Sequence, residues 1–130
     1  MTDDLINPKF VFYSPLHNVL ADPLDLVEHV DHAIIALDGR APVGGDCAIE
    51  QLSSVAFDEN AVRVELWVND LDDYTCTYGF LCSSEDGRIP HARGERSVVN
   101  IDPQSRRPVV WSHDFRVAHQ ELLKDLPAYA

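Results

Sequence analysis

A single helical stripe, followed by strand pattern through most of the remaining chain, constrains this sequence more than any other feature. Val27, Val30, Ile34 and Leu37 recur at three- and four-residue steps with Leu26 and Ala33 beside them, and the stripe stops at Gly39. Asp22 is a good N-cap, Pro23 suits the first helical position, and Asp25 puts an acid in the first turn. The pattern predicts one helix of about four turns. On its polar side the spacing places Asp25, Glu28, His29, Asp31 and His32, with Asp25/His29 and Glu28/His32 four apart, as a solvated face.

Strand signals surround that helix. Before it, "FVFY" (10–13) is a short aromatic and β-branched strand stopped by Pro15. After it, "RAPVGGD" (40–46) is a loop, and "CAIEQLSSVAF" (47–57) is an irregular strand. "VRVELWV" (62–68) alternates cleanly, Val62, Val64, Leu66 and Val68 on one face against Arg63, Glu65, Trp67 and Asn69 on the other. "YTCTYGFLC" (74–82) and "IPHARGERSVVNI" (89–101) flank "SSEDGR", whose Asp86-Gly87 pair marks a hairpin turn. Beyond "DPQSRRP", Phe115, Ala118, Leu122 and Leu123 follow a Ser112 N-cap at helical spacing. Runs of strands after one helix define an α+β domain in which the helix covers one sheet face. The other face and two sheet edges then need cover, which predicts a homodimer or homotetramer.

Composition narrows the partners. With 130 residues the chain predicts one domain over 1–130, its polar residues 1–9 flexible. A formal net charge of −12 excludes nucleic acid and anionic membrane surfaces as expected partners. The basic exceptions, Arg88, Arg93, Arg96, Arg106 and Arg107, gather in the C-terminal half, where an anionic ligand is expected. Cys47, Cys76 and Cys82 form no CxxC pair and read as reduced core thiols, with no metal site. Positions 1–20 lack signal-peptide character and no run approaches about 18 apolar residues, so a cytoplasmic protein is expected.

Two motifs carry a resemblance. "ARGERSVVNIDPQSRRPVVWS" (92–112) is similar to "A-x-G/A…V-x-V-D-P-x-T-x-(K/R)-P", the last strand of the hotdog-fold acyl-CoA thioesterases, the 4-hydroxybenzoyl-CoA thioesterase superfamily; Asp102, Pro103, Arg107 and Pro108 match. The stretch ahead of it resembles the family's "D-x-L-x-V-x-x-W-V…F-x-Y-x-I…D-G". The resemblance implies a hotdog fold, a five-stranded antiparallel sheet curled around one central helix with a short C-terminal helix. It also implies an acyl-CoA or acyl-carrier thioester as substrate and no cofactor.

The same resemblance marks a departure. The family's first strand runs "V-x-Y/W-x-D-T-D", its second Asp catalytic, and "VFYSPLH" puts Pro15 at the first Asp and His17 at the catalytic one. An imidazole can take a proton from water near neutral pH, so His17 is the candidate base, with Asn18 beside it. A branch of the family with its carboxylate on the central helix points to Glu28 or Asp31. Ser53 and Ser54 stand near the family's substrate-orienting hydroxyls, and Arg88, Arg93, Arg96 and Arg107 are candidate contacts for coenzyme A phosphates. Two functions follow: thioester hydrolysis, or a non-hydrolytic hotdog protein that binds an acyl thioester or serves as a structural partner subunit.

Overall fold

The computed structural model describes residues 9–16, 25–55 and 59–123. Strand β1 (Phe10–Pro15) is followed by helix α1 (Asp25–Asp38) and strands β2 (Cys47–Gln51), β3 (Ala61–Leu71), β4 (Thr75–Ser83) and β5 (Pro90–Val99). A short helix α2 (His113–Gln120) comes last. The five strands form one antiparallel sheet in the order β1-β3-β4-β5-β2. Helix α1 lies between β1 and β2 in the chain, so its connection runs from one edge of the sheet to the other.

Register explains which side chains meet the helix. Phe12 pairs with Val64, Val64 with Cys82, and Cys82 with Ala92, so these residues share one face. On that face Val62, Val64, Leu66, Val68, Cys76, Tyr78, Phe80 and Cys82 are buried, against Leu26, Val30, Ala33 and Ile34 of α1. Burying each such aliphatic side chain stabilises the fold by roughly 1.5–3 kcal/mol. The opposite face carries Arg63, Glu65, Trp67 and Asn69 as the alternation requires, with Trp67 lying over Gly79 so that a side chain at 79 would meet its indole.

The β4–β5 hairpin turns where Asp86-Gly87 predicts. Gly87 has φ 79, and Asp86 accepts from the Ser84 hydroxyl (2.6 Å) and the Arg88 amide (3.0 Å). Ser112 caps α2 by accepting from the Phe115 amide at 3.1 Å. "DPQSR" is a self-capped turn, in which Asp102 accepts from the Gln104 amide and the Ser105 hydroxyl.

Several boundaries differ from the sequence expectation. Pro15 does not stop β1 but is its last residue, tolerated because an edge strand leaves one side of its backbone unpaired. The strand after α1 ends at Gln51 rather than continuing through 57. Leu122 and Leu123 lie beyond α2, and Leu123 bridges to Val68 instead. Cys76 and Cys82 are core thiols, whereas Cys47 is exposed on edge strand β2.

Candidate active site

The end of β1 and the first turns of α1 bring together the polar groups with the clearest chemical potential. Ser14 is fully buried at the inward-facing end of β1, where it pairs with Val62. Its Oγ lies 2.6 Å from His29 Nδ1 and 3.3 Å from His32 Nδ1. The two rings meet edge to face, 5.8 Å between centroids. His29 is 7% exposed, whereas the His32 side chain is 44% exposed, with Nε2 on its outer side 3.8 Å from Glu28 Oε1. The cluster therefore spans from core to surface.

This corrects the sequence expectation for His29, which was a place on the solvated face. Position 29 falls three residues after Leu26 and four before Ala33, inside the apolar stripe, and Ser14 supplies the partner that makes its burial tolerable. The stripe itself was the available signal. Glu28 stays on the exposed side, and Asp31 reaches Arg96 Nε at 3.1 Å. His17 and Asn18 lie outside the described residues, in the stretch between Leu16 and Asp25 that joins β1 to this end of α1.

Another histidine stands at the same end of the sheet. His91, 1% exposed, has Nε2 3.0 Å from Glu59 and Nδ1 3.2 Å from Ser53 Oγ. The Ser53 hydroxyl donates to the Pro90 carbonyl at 2.7 Å. This group ties the segment after β2 to the start of β5. Sequence reasoning placed Ser53 near substrate but did not single out His91 or Glu59, whose partnership joins positions far apart in the chain.

A fourth histidine closes the far end of α1. His119 Nε2 lies 2.8 Å from Asp38 Oδ1 and 2.9 Å from the Tyr78 hydroxyl, which donates to Asp38 Oδ2 at 2.6 Å. Its Nδ1 lies 2.8 Å from the Phe115 carbonyl. His119 stacks on Phe115 (3.6 Å), Phe115 on Trp111 (3.9 Å), and the Arg40 guanidinium sits over Trp111 at 5.6 Å. Burial pushes the Tyr78 phenol well up, with Cys76 and Asp38 adding to it, so that hydroxyl keeps its proton.

The arginines singled out from sequence do not converge. Arg88 is exposed at the hairpin turn, and Arg93 lies on the outer face paired with Glu50 at 2.9 Å. Arg96 faces inward, held by Asp31 and by the carbonyls of Gly44 and Ser97. Arg107 is exposed in the turn after β5, and Ser54 is exposed beyond β2. A hollow of about 590 Å³ on the outer sheet face is lined by Trp67, Leu81, Glu50, Arg93 and Glu95.

One helix wrapped by a five-stranded antiparallel sheet of this order defines a hotdog-fold domain. The chain belongs to the thioesterase-like superfamily, whose family model matches residues 10–119. Its fold is shared with the PA5185 protein of Pseudomonas aeruginosa PAO1, at 18% identity over 96% of this chain and 97% of that one, with a TM-score of 0.74. SAV2348 of Staphylococcus aureus, solved in complex with CoA, is similar at 15% identity over 95% and 89% of the two chains, TM-score 0.73. A thioesterase from Thermus thermophilus, complexed with coenzyme A and zinc, is similar at 16% identity over 89% and 95%, TM-score 0.71. No curated protein matches the chain. Among the described residues no helix is long and apolar enough to cross a membrane.

Proposed function

We propose that the chain hydrolyses an acyl thioester of coenzyme A or of an acyl carrier. The observation that carries this reading is the family match across residues 10–119, which takes in β1, the stretch after it, α1 and the "DPQSRRP" turn together. A base takes a proton from water, the water oxygen bonds to the thioester carbonyl carbon, and the carbonyl electron pair moves onto oxygen. Collapse of that oxyanion breaks the C–S bond, the base passes its proton to the departing sulfur, and thiol and acid are released. By sequence position the candidates for that base are His17, with Asn18 beside it, and Glu28 on the helix. Unpaired N–H groups at the start of a helix favour the oxyanion.

Coenzyme A phosphates fit the exposed guanidinium groups of Arg88, Arg93 and Arg107 better than that of Arg96, which already has three oxygen partners. Ser54, exposed near the end of β2, is the candidate for orienting substrate. The open edges β1 and β2 and the uncovered outer face support a homodimer or homotetramer, and the cysteine usage supports a cytoplasmic setting. Light scattering that gave a monomer at micromolar concentration would remove the oligomer reading.

The absence of a carboxylate at position 17 favours one competitor, a non-hydrolytic acyl-thioester binder or structural subunit. Thiol release from a panel of acyl-CoA and acyl-carrier thioesters separates the two. Turnover by the native chain supports hydrolysis; tight binding with no thiol release supports the competitor.

A further inference from the structure

Resting on the hydrolysis reading, we propose that His32 is the base that takes the proton from the attacking water, with Ser14 and His29 fixing its ring for that task. A hydroxyl has one proton and two acceptor lone pairs, so Ser14 Oγ cannot donate to both imidazoles. The shorter contact, 2.6 Å, is to His29 Nδ1, and the longer, 3.3 Å, is to His32 Nδ1. With the tautomer assigned so that Ser14 donates to His29 Nδ1, Ser14 accepts from His32 Nδ1–H, and a neutral His32 with its proton on Nδ1 has its lone pair on Nε2. That nitrogen is on the solvent side of a half-exposed ring. Glu28, 3.8 Å away, stands too far to hydrogen-bond with it.

The step balances within this set. The water O–H bond breaks and its proton goes to His32 Nε2 while the water oxygen bonds to the carbonyl carbon. When the C–S bond breaks, the Nε2 proton passes to the departing sulfur, and the ring returns to its starting tautomer. Ser14 and His29 keep their protons throughout, which makes Ser14 a positioning residue. Glu28, the carboxylate singled out from sequence, is not the base in this assignment. The other two histidine clusters end inside the protein, with His91 and His119 only 1% and 2% exposed, whereas the His32 ring leaves the core.

The test is steady-state hydrolysis of the same thioester panel by the native chain and by His17→Ala, His32→Ala, Ser14→Ala and the Ser14→Ala/His32→Ala double variant. The expected result for His32→Ala is a kcat about 100-fold lower or more, KM within about threefold, and partial recovery on adding imidazole. Ser14→Ala should lower kcat about 10-fold, and the double variant should be no slower than His32→Ala alone, because Ser14 acts through His32. His32 is half exposed, so its variant keeps the fold and answers even where Ser14→Ala does not. A His32→Ala variant within about twofold of native kcat, one that imidazole does not rescue, or losses that multiply in the double variant would overturn the assignment. If His17→Ala alone abolishes turnover while His32→Ala keeps it, hydrolysis stands and the base is His17. No thiol release by the native chain removes hydrolysis, and this assignment with it.

Discussion

The two ends of helix α1 are built from the same materials and differ in one respect. At each end a histidine meets a hydroxyl within hydrogen-bond distance: Ser14 with His29 and His32 at the start, Tyr78 with His119 at the finish. At the far end both ring nitrogens of His119 and both oxygens of Asp38 have partners inside the protein, and an aromatic stack lies against the ring. At the near end the cluster stops at a ring whose Nε2 faces outward. Closed satisfaction of polar atoms makes a clasp, and the same atoms with one left over make a candidate reagent. Exposure of the last member separates the two: the side chain is 3% exposed in His119 and 44% in His32.

That contrast is broken most directly by removing one partner at each end. Asp38→Ala or His119→Ala strands a buried polar partner and should cost about 3–5 kcal/mol in urea denaturation, since the remaining group keeps its desolvation cost. His32→Ala should cost less than about 1 kcal/mol on the same measurement while removing most turnover. Equal stability losses at the two ends would mean that both are clasps.

A smaller effect sharpens the far end. Tyr78→Phe keeps the ring in the core and deletes only the hydroxyl that donates to Asp38, for an expected loss of about 1–3 kcal/mol. A change within error would show that the Asp38–His119 contact holds without it.

The fold was largely legible because its signals are local. The helical stripe, the alternation of 62–68, the Asp86-Gly87 turn and the Ser112 cap each lie within a few residues, and all four have their expected counterparts in α1, β3, the β4–β5 hairpin and α2. The polar clusters were not legible. Ser14 and His29, Asp38 and His119, and Glu59 and His91 are joined by sheet register and helix packing, not by spacing. Polarity alone puts His29 on the solvated face, whereas its position on the apolar stripe is the one that decides, and it is buried. The "D-P-x-S-x-R-P" motif identified the family, yet Asp102 serves there as the acceptor that closes a turn.

Weaker effects come from the exposed turns and thiols. Hydrogen bonds from neighbouring groups hold Asp72, Asp86 and Asp102 below the usual carboxylate range. Because the folded values are depressed, their stabilisation is complete above the unfolded value of about 4 and is lost as pH falls through the folded ones. Asp72→Asn should therefore flatten the fall of Tm below about pH 4 slightly; an unchanged acid limb would argue against the effect. Least of all, Cys76 and Cys82 are buried and pushed up to about 12, so alkylation of the native protein should stop at Cys47. Even that reaction should be slow, because partial burial and nearby Asp31 raise the thiol against the opposing pull of Arg96. Rapid labelling of all three thiols would indicate an open core.

The sheet order β1-β3-β4-β5-β2 has a consequence for how the chain is made. Both edge strands and the central helix precede the three strands between those edges, and neither edge strand pairs with the other: β1 needs β3, and β2 needs β5. On a ribosome the first half therefore emerges with nothing to close upon. At about 5–20 residues per second, synthesis from Gln51 to Val99 leaves β2 without its partner for ~2–10 s. During that interval an apolar helical stripe and two unpaired strands are exposed together, the conditions under which nascent chains associate wrongly. The β3–β4–β5 meander, joined by short turns, can pair as soon as it appears, and it then serves as the template onto which the older half of the chain is drawn.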